Sequence, residues 1–334
     1  MHRRSFLTTS LTAVVCTHIS YARETMGEVV RLDPRLDALI GADASIEKVA
    51  GGFDWAEGPI WQKSDKRLLF SDIPKNMAWQ WSASSGLKPF LYHSGYTGTE
   101  KRGGESGCNG LTLSPEGKLT LCQHGDRRVA RLNDDGKTFT TLADRYEGKR
   151  FNSPNDLVYH TSGDLYFTDP PYGLEKGPDD PKREITYCGV YRLGKDGKVT
   201  LLTKELSRPN GIGFSSDEKT LYVANSDPKQ AIWMAYAMKD DGTLGEGKVF
   251  FDVTKEAGKM KGLPDGLKLD VNGNLFATGP GGVWVFTPKA EVLGRIDPGC
   301  ATANCGWGED GSTLFLTADK SLCRIRTKTK GQGF

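Results

Sequence analysis

Four residues with oxygen-bearing side chains occupy matching places in a recurring sequence phrase: Glu57, Asn155, Asn210 and Asp265. Three of them follow a proline, in SPNDLV, RPNGIG and LPDGL, whereas Glu57 lies in AEGPIW. Two carboxylates and two amide carbonyls supply hard oxygen ligands and balance the charge of a divalent cation. The set predicts one such ion, with Ca²⁺ favoured and Mg²⁺, Mn²⁺ or Zn²⁺ as the alternatives.

The phrase that carries these residues occurs six times, and its first residues lie 52, 46, 55, 55 and 39 positions apart. Each copy has a polar first residue, a short apolar run, a turn rich in Ser, Asp, Gly or Lys, and a second apolar run. This order predicts a β-hairpin. Repeats of this length built from strands are typical of an all-β, six-bladed β-propeller, whose blades would bring the first residues together around one axis. Those first residues are Glu57, Asn109, Asn155, Asn210, Asp265 and Asn304.

A large apolar residue follows the first residue by four positions in five of the phrases: Trp61, Leu113, Tyr159, Phe214 and Leu269. In the sixth phrase Trp307 follows Asn304 by three, so the first residue there is uncertain by one position. Further strands are expected between the phrases, because short alternating apolar segments recur there. They are residues 77–82, 128–133, 189–193, 231–238, 282–287 and 321–326.

The composition fits this architecture and argues against some partners. The chain has 334 residues, 41 of them glycine, and a formal net charge of +2. Because charge of this size creates no strong field, neither nucleic acid nor an anionic membrane is expected as a partner. The oligomeric state does not follow from the composition.

The first residues, MHRRSFLTTSLTAVVCTHISYARE, resemble a twin-arginine export signal. We therefore expect a signal peptide over 1–22, an N-terminal extension over 23–44, the propeller over 45–326 and a tail over 327–334. Such export predicts a periplasmic or secreted bacterial protein that has no membrane attachment after cleavage. A disordered leader is the alternative interpretation. Six cysteines remain beyond the signal; free buried thiols are favoured over disulfides, whose pairing the spacing leaves open.

The motifs AEGPIW, SPNDLV, RPNGIGFSSDEKTLYVANS and GLPDGLKLD resemble the SMP-30/gluconolactonase family, over about residues 45–326. That family includes sugar lactonases, regucalcin and diisopropyl-fluorophosphatase-like enzymes. The resemblance implies a six-bladed propeller with one divalent cation on its axis and a gluconolactonase-like hydrolase acting on small sugar lactones. The family's four metal ligands fall on Glu57, Asn155, Asn210 and Asp265. In its animal members an Arg-x-Asn pair binds the substrate. Here Arg150 and Asn152 form such a pair, and Ser153 and Pro154 separate it from Asn155.

The expected reaction is attack of water on a lactone carbonyl that the cation polarises. Asp265 is the candidate base, provided that one of its oxygens stays free of the cation; water activated by the cation is the alternative. Candidate substrate-binding residues are Asn109, His124, Asp169 and Tyr172. We expect the long segments 95–107 and 168–187 to form walls of the pocket.

Two other functions would use the same site. One is hydrolysis of organophosphates or other esters, for which the pocket wall would be more apolar than for a sugar lactone. The other is a non-catalytic propeller that binds calcium or another ligand. The sequence contains no GxSxG nucleophile motif, so hydrolysis by a serine of that type is not expected.

Overall fold

The computed structural model describes residues 24–334, which form six antiparallel sheets arranged as the blades of a propeller. The innermost strands of neighbouring blades contact one another around the complete ring. The expected six-bladed β-propeller is therefore confirmed. The predicted signal peptide, residues 1–22, lies outside the described residues, so export and a periplasmic or secreted location stay predictions.

The strands are numbered in chain order. Two precede the first blade: β1 (Glu28–Arg31) and β2 (Glu47–Gly51). Blade one contains β3 (Ala56–Gln62), β4 (Arg67–Asp72), β5 (Met77–Ser82) and β6 (Gly86–Tyr92). Blade two contains β7 (Cys108–Leu113), β8 (Leu119–Gln123), β9 (Arg128–Leu132) and β10 (Phe139–Ala143). A small hairpin follows, formed by β11 (Arg145–Tyr146) and β12 (Lys149–Arg150).

The second half continues the pattern. Blade three contains β13 (Leu157–Tyr159), β14 (Leu165–Asp169), β15 (Gly189–Leu193) and β16 (Val199–Thr203). Blade four contains β17 (Pro209–Phe214), β18 (Thr220–Asp227), β19 (Gln230–Met238) and β20 (Leu244–Asp252). Blade five contains β21 (Leu267–Leu269), β22 (Leu275–Gly279), β23 (Gly282–Phe286) and β24 (Val292–Asp297). Blade six contains β25 (Thr302–Gly308), β26 (Thr313–Ala318) and β27 (Ser321–Arg326). The helices are short 3₁₀ turns, Pro34–Ala38 and Gly177–Asp179.

The N-terminal strands close the ring. β2 pairs with β27 and becomes the outer strand of blade six, so both ends of the propeller chain share one sheet. The Arg324 guanidinium contacts the Glu47 carboxylate at 2.9 Å across this pairing. β1 pairs with β24 as a fifth strand of blade five. The segment expected to be a separate extension, residues 23–44, thus contributes a strand to the propeller.

The core lies between neighbouring blades, because each sheet is covered on both faces. Tyr166 of blade three packs edge-on against Phe214 of blade four, with ring centroids 5.0 Å apart. Trp233 of blade four packs similarly against Phe286 of blade five at 5.3 Å. Aromatic rings therefore fill the wedge-shaped gaps that radial packing leaves between sheets.

The C-terminal residues 327–334 pack against the end of the ring that lies away from the polar first residues. The Gln332 amide donates a hydrogen bond to the Leu269 carbonyl at 3.0 Å, and the Phe334 ring lies 4.2 Å from the Lys63 ammonium. Together with Trp61, Leu113 and the other large apolar residues of the phrases, this tail lines a cavity of about 450 Å³. The tail therefore forms part of the wall of this second cavity.

Two further observations concern residues 24–334. No helix in this range has the length and apolar character needed to cross a membrane. All six cysteines of the range carry free thiols, and all but Cys300 are buried.

Candidate metal centre and active-site cavity

A cavity of about 500 Å³ opens on the propeller axis where the inner strands begin. It is lined by the first residues of five phrases: Glu57, Asn109, Asn155, Asn210 and Asp265. The structure therefore brings together the four predicted metal ligands and, with Tyr172, two of the predicted substrate residues. Residues more than 200 positions apart share this cavity because each inner strand begins at the same end of the ring.

Local irregularities in the inner strands aim these side chains at the axis. The pairing register shifts between Glu57 and Ile60 in blade one and between Pro209 and Ile212 in blade four. A bulge of this kind re-aims a side chain and bends the strand. A Cβ on Gly58 would lie 2.2 Å from the Asn109 carbonyl oxygen, so the glycine lets the next blade approach closely.

Gly58→Ala is expected to destabilise the fold at this blade contact. The position has a φ of +56° and no room for a methyl group, whereas Gly117, with a φ of +76°, has open space around it. Gly117→Ala therefore measures the backbone strain alone. We expect Gly58→Ala to lower the free energy of unfolding by about 1–3 kcal/mol more than this control does. Urea denaturation of both variants checks it, and equal losses would show that the contact tolerates a methyl group.

Glu57 is held in place from the last blade. Its carboxylate is buried, and one oxygen accepts hydrogen bonds from the Gly58 amide and from the Asn304 side chain, the latter at 3.0 Å. Asn304 is the first residue of the sixth phrase as the sequence analysis assigned it. Its side chain thus fixes the orientation of a candidate ligand and ties blade six to blade one.

Other side chains of the cavity present oxygens that have no partner among the described residues. Oδ1 of Asn109, of Asn155 and of Asp265 are all enclosed and accept no hydrogen bond. Asn210 donates from Nδ2 to the Ser226 hydroxyl at 3.0 Å, which leaves its amide oxygen as the atom available to a cation. Buried acceptors without a partner are rare and costly, so this cluster fits a bound cation.

The electrostatics of the cavity favour a cation as well. Burial, and next the negative charge of Asp156, raise the pKa of Glu57. Burial, and next the charge of Glu57, raise the pKa of Asp265 far above its ordinary range. Crowded carboxylates resist ionisation unless a positive charge compensates them. Among residues 24–334 no group of three or more His, Cys, Asp and Glu side chains is arranged to hold a metal.

Two charged residues on the axis were missed by the sequence analysis. Asp156 is buried, and its Oδ1 accepts from the Leu157 amide at 2.9 Å, whereas its Oδ2 has no partner within the described chain. Burial raises the pKa of Asp156 and of Glu57, and the charge of Lys268 partly opposes both shifts. The sequence does mark Asp156 as unusual, because four of the other five phrases have glycine at the same position.

The two long segments predicted as walls do meet above the cavity. The Arg102 guanidinium donates to the Gly125 carbonyl at 2.7 Å and to the Gly173 carbonyl, which joins 95–107 to 168–187. Glu105 and Tyr172 line the cavity as a result. Burial, and next the charge of Asp265, raise the pKa of the Tyr172 phenol.

The other two candidate substrate residues lie behind the cavity wall. His124 is fully buried, and its Nδ1 is 3.4 Å from a Glu105 carboxylate oxygen. Asp169 accepts from the amides of Asn152 and Ser153, both at 2.8 Å, and burial raises its pKa to about 7. Asp169 therefore supports the turn that carries Asn155, whereas both ring nitrogens of His124 lack a hydrogen-bond partner among the described residues.

The other residues of the cavity wall could not be predicted from the repeat pattern. Trp55, Met260 and Leu263 form an apolar side of the cavity, and Glu105 and Arg208 add charges. These residues come from the connections that precede the inner strands. Connections vary in length and sequence from blade to blade, so no periodic signal marks them.

Comparisons with known proteins agree with this architecture. The family profile described as the SMP-30/gluconolactonase/LRE-like region matches residues 55–320. A gluconolactonase from Zymomonas mobilis is 41% identical over 313 residues, covering 92% of this chain and 88% of the relative. A pentonolactonase from Haloferax volcanii is 27% identical, covering 78% and 80% of the two chains.

A solved structure shows the same fold. The gluconolactonase from Xanthomonas campestris superposes with a TM-score of 0.80 at 29% identity, covering 92% of this chain and 98% of that one. The family match extends over all six blades and includes each candidate ligand. The chain belongs to the SMP-30/gluconolactonase/LRE-like family.

Proposed function

We propose that this protein opens sugar lactones, of the gluconolactone type, by hydrolysis at the axial cavity. The enzyme class, a gluconolactonase-like lactone hydrolase, is supported by the 41% identity to a gluconolactonase over most of the chain. The observation that carries the proposal is the cavity of about 500 Å³ in which Glu57, Asn155, Asn210 and Asp265 converge. Its size suits a monosaccharide lactone and its polar side suits hydroxyl groups.

One divalent cation per chain is part of the proposal, with Ca²⁺ favoured. Glu57, Asn155, Asn210 and Asp265 would hold it, because all four line the cavity and two of them are carboxylic acids. Oδ1 of Asn155 and of Asp265 also lacks a partner among the described residues. Such an ion supplies polarisation of the lactone carbonyl and stabilises negative charge on its oxygen.

The chain's own residues would bind and orient the lactone and transfer the proton. Asp265 would take a proton from the attacking water and return it to the ring oxygen as the C–O bond breaks, which yields the hydroxy acid. A bound cation would lower the pKa of Asp265 and weaken it as a base, so water activated by the cation is the alternative. Tyr172 faces the same space, and Asn304 keeps the Glu57 carboxylate fixed.

The substrate side of the proposal follows the cavity wall. Asn109 and Tyr172 reach the cavity and are placed to bond lactone hydroxyls. His124 and Asp169 would act from behind the wall, by orienting Glu105 and the Asn155 turn respectively. Both are therefore proposed as positioning residues.

A second candidate activity is supported by the apolar side formed by Trp55, Met260 and Leu263. An apolar wall suits esters or fluorophosphates that lack hydroxyl groups. Sugar lactonase activity is preferred, because the lining also contains three carboxylates, three amides and a phenol.

A lactone panel tests both candidates. The protein, treated with chelator and then given Ca²⁺, Mg²⁺, Mn²⁺ or Zn²⁺, is assayed with a pH indicator on aldonolactones, simple lactones, aryl esters and a fluorophosphate. We expect aldonolactones to give the highest kcat/KM, and chelation to remove that activity reversibly. Undiminished hydrolysis after complete chelation would contradict the cation, and preference for a fluorophosphate would favour the second candidate.

A further inference from the structure

Arg208 is the one cationic side chain that lines the axial cavity in the described chain. It immediately precedes β17, two residues before the candidate ligand Asn210. Its backbone is fixed, because its amide donates to the Asn225 side chain at 2.8 Å. Its side chain is only partly exposed, so the guanidinium stands at the cavity without being a free surface group.

No ion pair or hydrogen bond holds the Arg208 guanidinium within residues 24–334, although most arginines of the chain are bonded. Arg127, for example, donates to three backbone carbonyls within 3.1 Å. A planar group with five donors is seldom left without acceptors beside a cavity. The arrangement therefore points to acceptors that a ligand supplies.

Glu105 lines the same cavity as Arg208 and carries the opposite charge. Its carboxylate makes no contact with any Lys or Arg in the described part of the chain, and His124 lies 3.4 Å behind it. Like Arg208, it precedes an inner strand, β7, by three residues or fewer. Both side chains thus come from the connections above the candidate ligands, on the outer side of the cavity.

The phenol of Tyr172 lies in the same cavity as this pair and the candidate base Asp265. Tyr172, Asp265, Arg208 and Glu105 therefore all line this one cavity. A lactone whose carbonyl faces Asp265 would extend its substituents past Tyr172 toward Arg208 and Glu105.

We propose that Arg208 and Glu105 form a specificity pair that binds the hydroxyl groups of the lactone far from its carbonyl. Arg208 only donates and Glu105 only accepts, so together they satisfy both hydrogen-bonding roles of a neutral diol. Their charges cancel, which suits an uncharged polyhydroxylated ring better than an anionic one. This inference rests on the proposed lactonase function and names the substrate feature that the site selects.

Two six-membered lactones that differ in their hydroxyl groups test the pair: glucono-δ-lactone and δ-valerolactone. Arg208→Met is expected to lower kcat/KM for the hydroxylated lactone roughly ten- to one-hundred-fold, mainly through KM, and for the simple lactone less than about two-fold. Arg208→Lys should recover part of the loss, because the charge returns without the planar fork. Glu105→Gln should act in the same direction but less strongly, since an amide oxygen still accepts. Lys229→Met, which removes an exposed charge from a neighbouring turn outside the cavity lining, is the matched control.

A binding measurement separates this inference from the lactonase proposal. Calorimetric titration with D-glucitol, which carries hydroxyls but no lactone, reports on the pair without turnover. Weaker binding in Arg208→Met and Glu105→Gln than in Lys229→Met supports the pair even if neither lactone is hydrolysed, an outcome that would refute only the lactonase. Equal losses on both lactones, or glucitol binding that the variants leave unchanged, overturn the pair. A larger loss on 6-phosphogluconolactone than on gluconolactone overturns it too, because Arg208 would then bind an anion.

Discussion

Asp265→Asn is expected to lower kcat for aldonolactone hydrolysis by about 10²–10⁴-fold while the fold is retained. The substitution keeps the side-chain shape and a carbonyl oxygen for the cation, but it removes the group that would accept the proton. It also removes the repulsion between the Asp265 and Glu57 carboxylates, which adds to burial in raising the pKa of Asp265. Steady-state kinetics at saturating Ca²⁺, with thermal melting to confirm folding, measure the effect.

The control for this variant is Asp164→Asn, which changes an aspartate on the far side of blade three, outside the axial cavity. Its kcat should match that of the unmodified protein. If Asp265→Asn retained full turnover at saturating metal, Asp265 would be excluded as the base. Water activated by the cation would then be the better explanation of the nucleophile.

The stabilisation by a divalent cation is expected to grow as the pH rises from 5 to 8. Burial raises the pKa of Glu57 and Asp265, so the metal-free folded protein binds more protons than the unfolded chain does. Protonation of these two groups favours the folded state fully below their unfolded pKa values, 4.5 for Glu57 and 3.8 for Asp265. This contribution is lost as the pH passes the raised folded values. A cation replaces the protons, so its effect should be largest at high pH.

Differential scanning calorimetry with and without Ca²⁺ at both pH values measures this difference. We expect the Ca²⁺-induced rise in Tm to be several degrees larger at pH 8 than at pH 5, since 1 kcal/mol shifts Tm by roughly 2–4 °C or less in a chain of this size. Glu57→Gln, which removes one of the two anionic ligands, should shrink the Ca²⁺ effect at pH 8. A rise in Tm that is the same at both pH values would contradict a site built from these carboxylates.

Much of the propeller could be predicted from local sequence, because each hairpin carries its own alternating pattern. The strands expected over 77–82 and 321–326 coincide with β5 and β27, and that over 189–193 with β15. The first residues of the phrases converge because every blade repeats the same path. Repetition therefore turns local spacing into a three-dimensional prediction, here the cluster around Glu57 and Asp265.

The remainder depends on contacts that have no local pattern. Nothing in residues 28–31 indicates that this strand pairs with β24, because that partner lies more than 250 positions away. Residues 327–334 are predicted only as a tail, yet Thr327 and Thr329 are buried in the folded chain. Arg208 and Glu105 come from connections of unequal length, so only the folded chain brings them to the cavity.

A crystal structure of the protein grown with Mn²⁺, recorded at a wavelength where manganese scatters anomalously, tests whether a cation binds in the axial cavity. We expect one anomalous peak per chain on the propeller axis, bonded to oxygens of Glu57, Asn155, Asn210 and Asp265. Added Ca²⁺ should displace it and occupy the same position at roughly 2.3–2.6 Å from those oxygens. A peak bound elsewhere, or an axial cavity that stays without a cation at saturating Mn²⁺ and Ca²⁺, would contradict it.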